Sequence, residues 1–186
     1  MVKKSSAGLL VYRSAGRSVE VLLVHPGGPF WAKKDLGSWS IPKGEFDESE
    51  SAFEAAKREF SEETGANLEG NFIELKPVKH KSGKIVYAWA IEGQIDVDSL
   101  KSNTFELEWP PKSRRIQSFP EVDKAGWFAI PDAMAKLIPA EVSFIEQLVS
   151  TLKVELTGGG SNDGSSGSTK DAGGSNRAED RQLKLF

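Results

Sequence analysis

The chain has 186 residues with a formal net charge of -3 and a pI near 5.6, a length that suits one domain of moderate core plus an extension. The acidic balance argues against direct binding to a nucleic-acid backbone. The absence of cysteine excludes disulfides, thiolate catalysis and cysteine-ligated zinc.

Near the N-terminus, the apolar run Gly8 to Tyr12 is too short for a signal peptide or a membrane span, so the expectation is a cytoplasmic protein without membrane association. Ala7–Arg13 and Val19–His25 read as two strands joined by a turn at Ser14–Ser18, where Gly16 suits a hairpin. Pro26, Gly27, Gly28 and Pro29 then interrupt regular structure. Ser38–Ile41 reads as a short strand that leads through Pro42, Lys43 and Gly44 into the most informative stretch of the chain.

That stretch, Gly44 to Ala66, ends in a helix of about four turns that closes at Gly65. Asp47, Glu48, Ser49 and Glu50 are placed to cap it or to complement its dipole. Ala52, Phe53, Ala56 and Phe60 form its apolar face. Glu59, Glu62 and Glu63 stand at i, i+3 and i+4, which brings three carboxylates onto one face about 5–6 Å apart at Cβ. Carboxylates so close repel one another unless a cation lies among them, and Mg²⁺ is a hard cation that takes carboxylate oxygens. The competing reading is a solvated helix face. Arg58 can pair with Glu54 and with Glu62 at helical spacing and hold the acidic row.

Beyond the helix, Phe72–His80 and Lys84–Glu92 read as strands, the second apolar on both faces and so central to a sheet. Phe105–Trp109 and Gly126–Ile130 are further short strands, and Pro139–Leu152 carries one apolar stripe of an amphipathic helix. Strands interleaved with helices imply a layered α/β sandwich. Between Thr157 and Arg181 there is no Val, Ile, Leu, Phe, Tyr or Trp, so that stretch cannot offset its ordering entropy and is expected to be a disordered tail.

The spacing of Gly44, Glu50, Arg58, Glu59, Phe60, Glu62, Glu63 and Gly65 resembles the Nudix box, G-x5-E-x7-R-E-U-x-E-E-x-G-U, where U is an apolar residue. The last U is Ala66, smaller than usual. The resemblance extends to WSIPKGE before the box and FPEVDKAGWF after it, and implies an α/β/α sandwich with a mixed sheet. Residues 1–155 would form the hydrolase domain, 156–181 a flexible Gly/Ser-rich linker, and 182–186 a short interaction motif.

The resemblance also implies chemistry. A Mg²⁺-dependent hydrolase of phosphoanhydrides, with Mn²⁺ as an alternative ion, would use Glu59, Glu63 and the carbonyl of Gly44 as metal ligands. Glu62 would join them as a ligand or in activating water. Glu121 is chosen as a further ligand or general base, with Glu106 and Glu108 as competitors, so that Glu59, Glu62 and Glu121 form the catalytic set. Lys43 is a candidate phosphate contact, against a solvated loop lysine. Phe30, Trp39 and Trp109 are candidate stacking partners for a base, against the commoner role of aromatics in a core.

The wider resemblance, including HPGGPFW, points to the NTP pyrophosphohydrolase and diadenosine polyphosphate hydrolase branch. Dinucleoside polyphosphates and (d)NTPs are the expected substrates. Two rivals stand beside this: a catalytically silent nucleotide-binding module, and a nucleotide-sanitation enzyme tethered near replication. The second rests on Gln182-Leu-Lys-Leu-Phe186, which is similar to the pentapeptide by which bacterial replication proteins bind the sliding clamp. Docking of that pentapeptide on the protein's own surface is the other reading.

Overall fold

The computed structural model describes residues 5–15 and 18–157. Among the described residues, eight strands and three α-helices follow one another as β1 (Ser5–Ala15), β2 (Ser18–Pro26), β3 (Lys43–Phe46), α1 (Ala52–Thr64), β4 (Ile73–Lys79), β5 (Ile85–Glu92), β6 (Thr104–Glu108), β7 (Ile116–Pro120), β8 (Val122–Ala129), α2 (Ile130–Lys136) and α3 (Val142–Thr157). Of the expected tail, residues 158–186 lie outside the described residues, and so does the whole of the 182–186 motif.

The main sheet runs β4-β5-β1-β2-β8. β1 and β5 are parallel while the other neighbours are antiparallel, which makes the sheet mixed. β1 shares one edge between two partners. Its second half, from Tyr12, pairs with β2, and its first half, Ser5 to Gly8, pairs with β3. β3 is thereby seated against the middle strand of the sheet, and it leads into α1.

Alternation along β1 and β2 sorts the core into two layers. Ala7, Leu9, Val11 and Leu22 point to one face and pack with Ala55, Ala56 and Phe60 of α1. Leu10, Tyr12, Val21 and Leu23 point to the other, against Ala133, Leu137, Phe144, Ile145 and Leu148 of α2 and α3. Helices on both faces of a mixed sheet form the expected α/β/α sandwich. Burial of Phe60 alone, which is 1% exposed, contributes roughly 2–3 kcal/mol. Ala66, the small residue at the end of the box, packs against the α1 layer.

Several expectations need correction. Ser38–Ile41 is not a strand: it makes only the isolated bridges Val24–Ser40 and Trp39–Leu137, and regular pairing starts at Lys43. The segment carries its backbone partners to two different elements, so no ladder develops. α1 is capped by Ser51, whose hydroxyl accepts from the Glu54 N–H at 3.2 Å, and not by residues 47–50. β6 pairs with β7, a strand not expected from the sequence, in a separate two-stranded sheet. β8 begins at Val122, four residues earlier than Gly126, and α2 was likewise not anticipated.

Candidate active site

β3 is held close to both of its neighbours by glycine. A side chain at Gly8 would strike the Pro42 carbonyl and Lys43, and one at Gly44 would strike the Glu59 carboxylate. The Gly44 position therefore sets how near α1 lies to β3. α1 itself ends at Gly65, whose φ of 71° suits glycine and whose N–H donates to the Ser61 carbonyl at 2.7 Å.

Arg58 is the hub of the acidic face. Its guanidinium donates to Glu50 at 2.6 and 3.2 Å, to Glu59 at 2.7 Å, to Glu62 at 3.3 Å and to the Glu45 carbonyl at 3.4 Å. These partners, Glu50 first, hold the guanidinium protonated more firmly than usual. Glu50 thus orients Arg58 and does not act as a cap, while Glu54 turns to Lys57 at 3.9 Å in place of the expected Arg58. Asp47 accepts the Ser49 N–H at 2.8 Å, a local turn before the helix.

Glu59 and Glu63 are the electrostatically costly members. Burial pushes the Glu63 carboxyl up to about 8, opposed by the charge and the N–H of Lys43, with the Glu59 and Glu121 charges adding to the rise. Burial also raises Glu59, against the pull of Arg58, and the charges of Glu62 and Glu121 push the same way. One oxygen of Glu63 accepts the Lys43 N–H at 2.9 Å.

Glu121 lies between β7 and β8, within electrostatic range of α1. Its N–H donates to Asn103 at 2.8 Å and its carbonyl accepts from Gly27 at 2.9 Å, so its backbone joins three loops. Glu106 and Glu108 sit on β6 in the small sheet, where Glu108 accepts the Arg114 N–H at 2.6 Å.

The expected stacking residues part company. Trp39 is 6% exposed, packs edge-on to His25 and Phe128 at 5.2 and 4.9 Å, and donates its indole N–H to Asp35 at 2.8 Å. Buried in this way, with the Lys136 ammonium 5.3 Å from its ring centre, Trp39 offers little open ring face to a base. Phe30 is 58% exposed and meets half-buried Trp109 edge-on at 5.3 Å, three residues past the Gly27 contact to Glu121. Lys43 does not present a free ammonium: its Nζ lies 3.3 Å from Glu141.

Sequence reasoning passed over Glu141 and gave no role to His25. His25 is buried, with Nδ1 2.6 Å from Asp123 and Nε2 2.8 Å from the Lys34 carbonyl, and so ties the Pro26–Asp35 loop to β8. No signal in spacing marks either residue, because their partners are remote in the chain.

Among the described residues, no three carboxyl or imidazole groups already converge on one point that a cation could occupy. The donor set nevertheless fits a hard divalent ion. Two partly buried carboxyls, Glu59 and Glu63, are raised by burial and by the charges around them, and all the donors are oxygens. Glu59, Glu63, Glu62, Glu121 and the Gly44 carbonyl are the residues that could hold it.

The NUDIX domain family model matches residues 2–148. No curated protein sequence matches the chain. Among solved structures, an Ap4A hydrolase of C. elegans in a binary complex is 22% identical, with a TM-score of 0.56, covering 81% of this chain and 98% of its own. The NUDIX domain of Shewanella oneidensis NrtR, complexed with ADP ribose, is 17% identical with a TM-score of 0.55 over 82% of this chain and 90% of its own. The C-terminal domain of mouse MUTYH, in a complex with human PCNA, is 16% identical with a TM-score of 0.52 over 82% and 90%. These likenesses establish a shared fold.

Proposed function

The chain belongs to the NUDIX family and is a pyrophosphohydrolase, a hydrolase acting on acid anhydrides in phosphorus-containing compounds, and from that premise we propose its substrate and its chemistry. The substrates are nucleoside diphosphate-linked compounds, dinucleoside polyphosphates or (d)NTPs, and the reaction depends on Mg²⁺, with Mn²⁺ as a substitute. The observation that carries this reading is the acidic face of α1, where Glu59 and Glu63 are raised first by burial and further by neighbouring carboxylates, Glu62 and Glu121 for Glu59 and Glu59 and Glu121 for Glu63, beside the glycine of β3.

When bound, a divalent ion would neutralise phosphate charge and acidify water. Glu59, Glu63 and the Gly44 carbonyl would hold it, with Glu62 and Glu121. Attack by a water oxygen forms a new P–O bond as the bridging P–O bond breaks, and a carboxylate oxygen of Glu59, Glu62 or Glu121 accepts the water's proton. Arg58 keeps Glu59 and Glu62 oriented through its hydrogen bonds to them and to Glu50. Phe30 and Trp109 receive the base. Lys43 reaches phosphate only by leaving Glu141.

Products identify the substrate. Incubation with Mg²⁺ and a panel of dNTPs, oxidised dNTPs, Ap4A, Ap6A, ADP-ribose and NADH is run beside Glu63→Gln. Conversion of Ap4A to ATP and AMP, lost in the variant, supports the dinucleotide reading. Release of pyrophosphate from a dNTP supports sanitation. Turnover of nothing in the panel, with nucleotide binding retained, favours the silent binding module and refutes the reaction.

The domain limits 1–155, 156–181 and 182–186 and a cytoplasmic location belong to the same proposal. Among the described residues no helix is long and apolar enough to cross a membrane. A sliding clamp as partner of Gln182–Phe186 rests on the sequence of that pentapeptide. Clamp capture that is unchanged by deletion of residues 181–186 would remove it.

A further inference from the structure

Glu141 lies on the 3-10 turn Pro139–Glu141 that leads into α3, and it is 0% exposed. Its Oε2 accepts the Ile41 N–H at 3.1 Å. Its Oε1 lies 3.3 Å from Lys43 Nζ and 3.3 Å from His80 Nε2. Neither of these two contacts has hydrogen-bond geometry, so Oε1 and the His80 nitrogen remain without a hydrogen-bond partner. A fully buried carboxyl so incompletely matched is poor value for stability, since apolar packing of the same volume commonly serves a fold as well or better.

What the carboxyl touches suggests its use. Ile41 and Lys43 flank Pro42, and the next residue is Gly44, the close neighbour of Glu59. Lys43 also donates its N–H to Glu63 at 2.9 Å. Glu141 therefore grips the backbone three residues before that glycine and the side chain one residue before it. It does so from the α2–α3 layer, while Glu59 and Glu63 belong to α1 on the other face of the sheet.

We propose that Glu141 is a positioning residue for the carboxylate site, fixing the Ile41–Gly44 segment and, through the Lys43 N–H, the orientation of Glu63. This rests on the reading of Glu59 and Glu63 as holders of a divalent cation. Glu141 touches no substrate and acts only through β3. A role confined to the fold would move the melting temperature alone, whereas a positioning role also moves cation affinity and kcat.

The test uses the full chain as Glu141→Gln, which keeps an acceptor for the Ile41 N–H and removes the charge beside Lys43. Mn²⁺ binding is measured by calorimetry, with steady-state kinetics on the substrate found in the panel and melting in chelator. Mn²⁺ affinity should weaken by about tenfold or more, as for changes to residues that orient metal ligands. kcat should fall by at least as much, with KM within about twofold. Glu141→Asp, which keeps the charge but sits one methylene short, should fall between and carries the test if Glu141→Gln does not fold. Wild-type Mn²⁺ affinity and kcat in whichever variant folds would overturn the proposal. A wild-type protein that binds no Mn²⁺ would overturn both the proposal and the cation site beneath it.

Discussion

Glu63 offers a direct measure of what the site costs the fold. Its carboxyl is pushed from the ordinary 4.5 up to about 8, chiefly by burial. At about 1.4 kcal/mol for each tenfold change in the constant, that bounds the cost of ionising Glu63 at roughly 5 kcal/mol. Water still reaches this half-buried group and screens part of it, which leaves about 2–3 kcal/mol. The sign follows from proton binding. Between about 4.5 and about 8 the folded chain keeps a proton that the unfolded chain has lost, so stability falls as pH rises across that window. Below it both forms are protonated, and above it the penalty is complete.

Glu63→Gln removes the ionisation and retains an oxygen to accept the Lys43 N–H. In chelator, its melting temperature should fall less steeply from about pH 5 to 8.5 than that of the wild type, the slope that remains belonging to Glu59, whose carboxyl burial also raises. The gap at the alkaline end should be roughly 5–10 °C for a domain of this size. Added Mg²⁺ or Mn²⁺ at pH 8 should raise the wild type and leave the variant nearly unmoved. Parallel pH curves for the two proteins would refute the reasoning, because burial of this carboxyl would then not be what strains the fold.

Other substitutions separate the remaining parts. Gly44→Ala places a methyl where the Glu59 carboxylate lies, so turnover should fall by about a hundredfold or more, with a stability loss of about 1–3 kcal/mol seen in urea unfolding. Intact turnover would show that β3 and α1 need not be so close. Arg58→Ala leaves Glu50, Glu59 and Glu62 without their shared donor and should cost about 1–3 kcal/mol by the same assay, with kcat reduced more than KM is raised. Phe30→Ala should raise KM about tenfold at similar kcat, the value of one lost base-stacking contact, whereas Trp39→Phe should lower stability and leave KM alone. The reverse pattern would return Trp39 to the site. Phe60→Ala should destabilise by about 3–5 kcal/mol in chemical denaturation, and a smaller loss would mean that the α1 layer can collapse onto the gap.

The sequence by itself determined what is local. Helical spacing places Glu59, Glu62 and Glu63 on one face whatever surrounds them, and the short apolar runs of β1, β2 and β5, bounded by turn residues, predict strands from local sequence alone. Glycine at 44 and 65 was legible as punctuation, although the reason for Gly44 is steric and appears only against Glu59.

What the tertiary structure decided is everything that joins remote segments. Trp39 looked as available as Phe30, and only packing against His25 and Phe128 removed it from the surface. β7 and α2 carry weak periodicity of their own and are completed by β6 and by the α3 layer. Glu121 comes within electrostatic range of Glu59 and Glu63 through contacts to Gly27 and Asn103, and Glu141 reaches Ile41 across 100 positions. Periodicity is written in the spacing of neighbouring residues. The charge felt by a carboxyl, and its access to water, depend on which distant segments close over it.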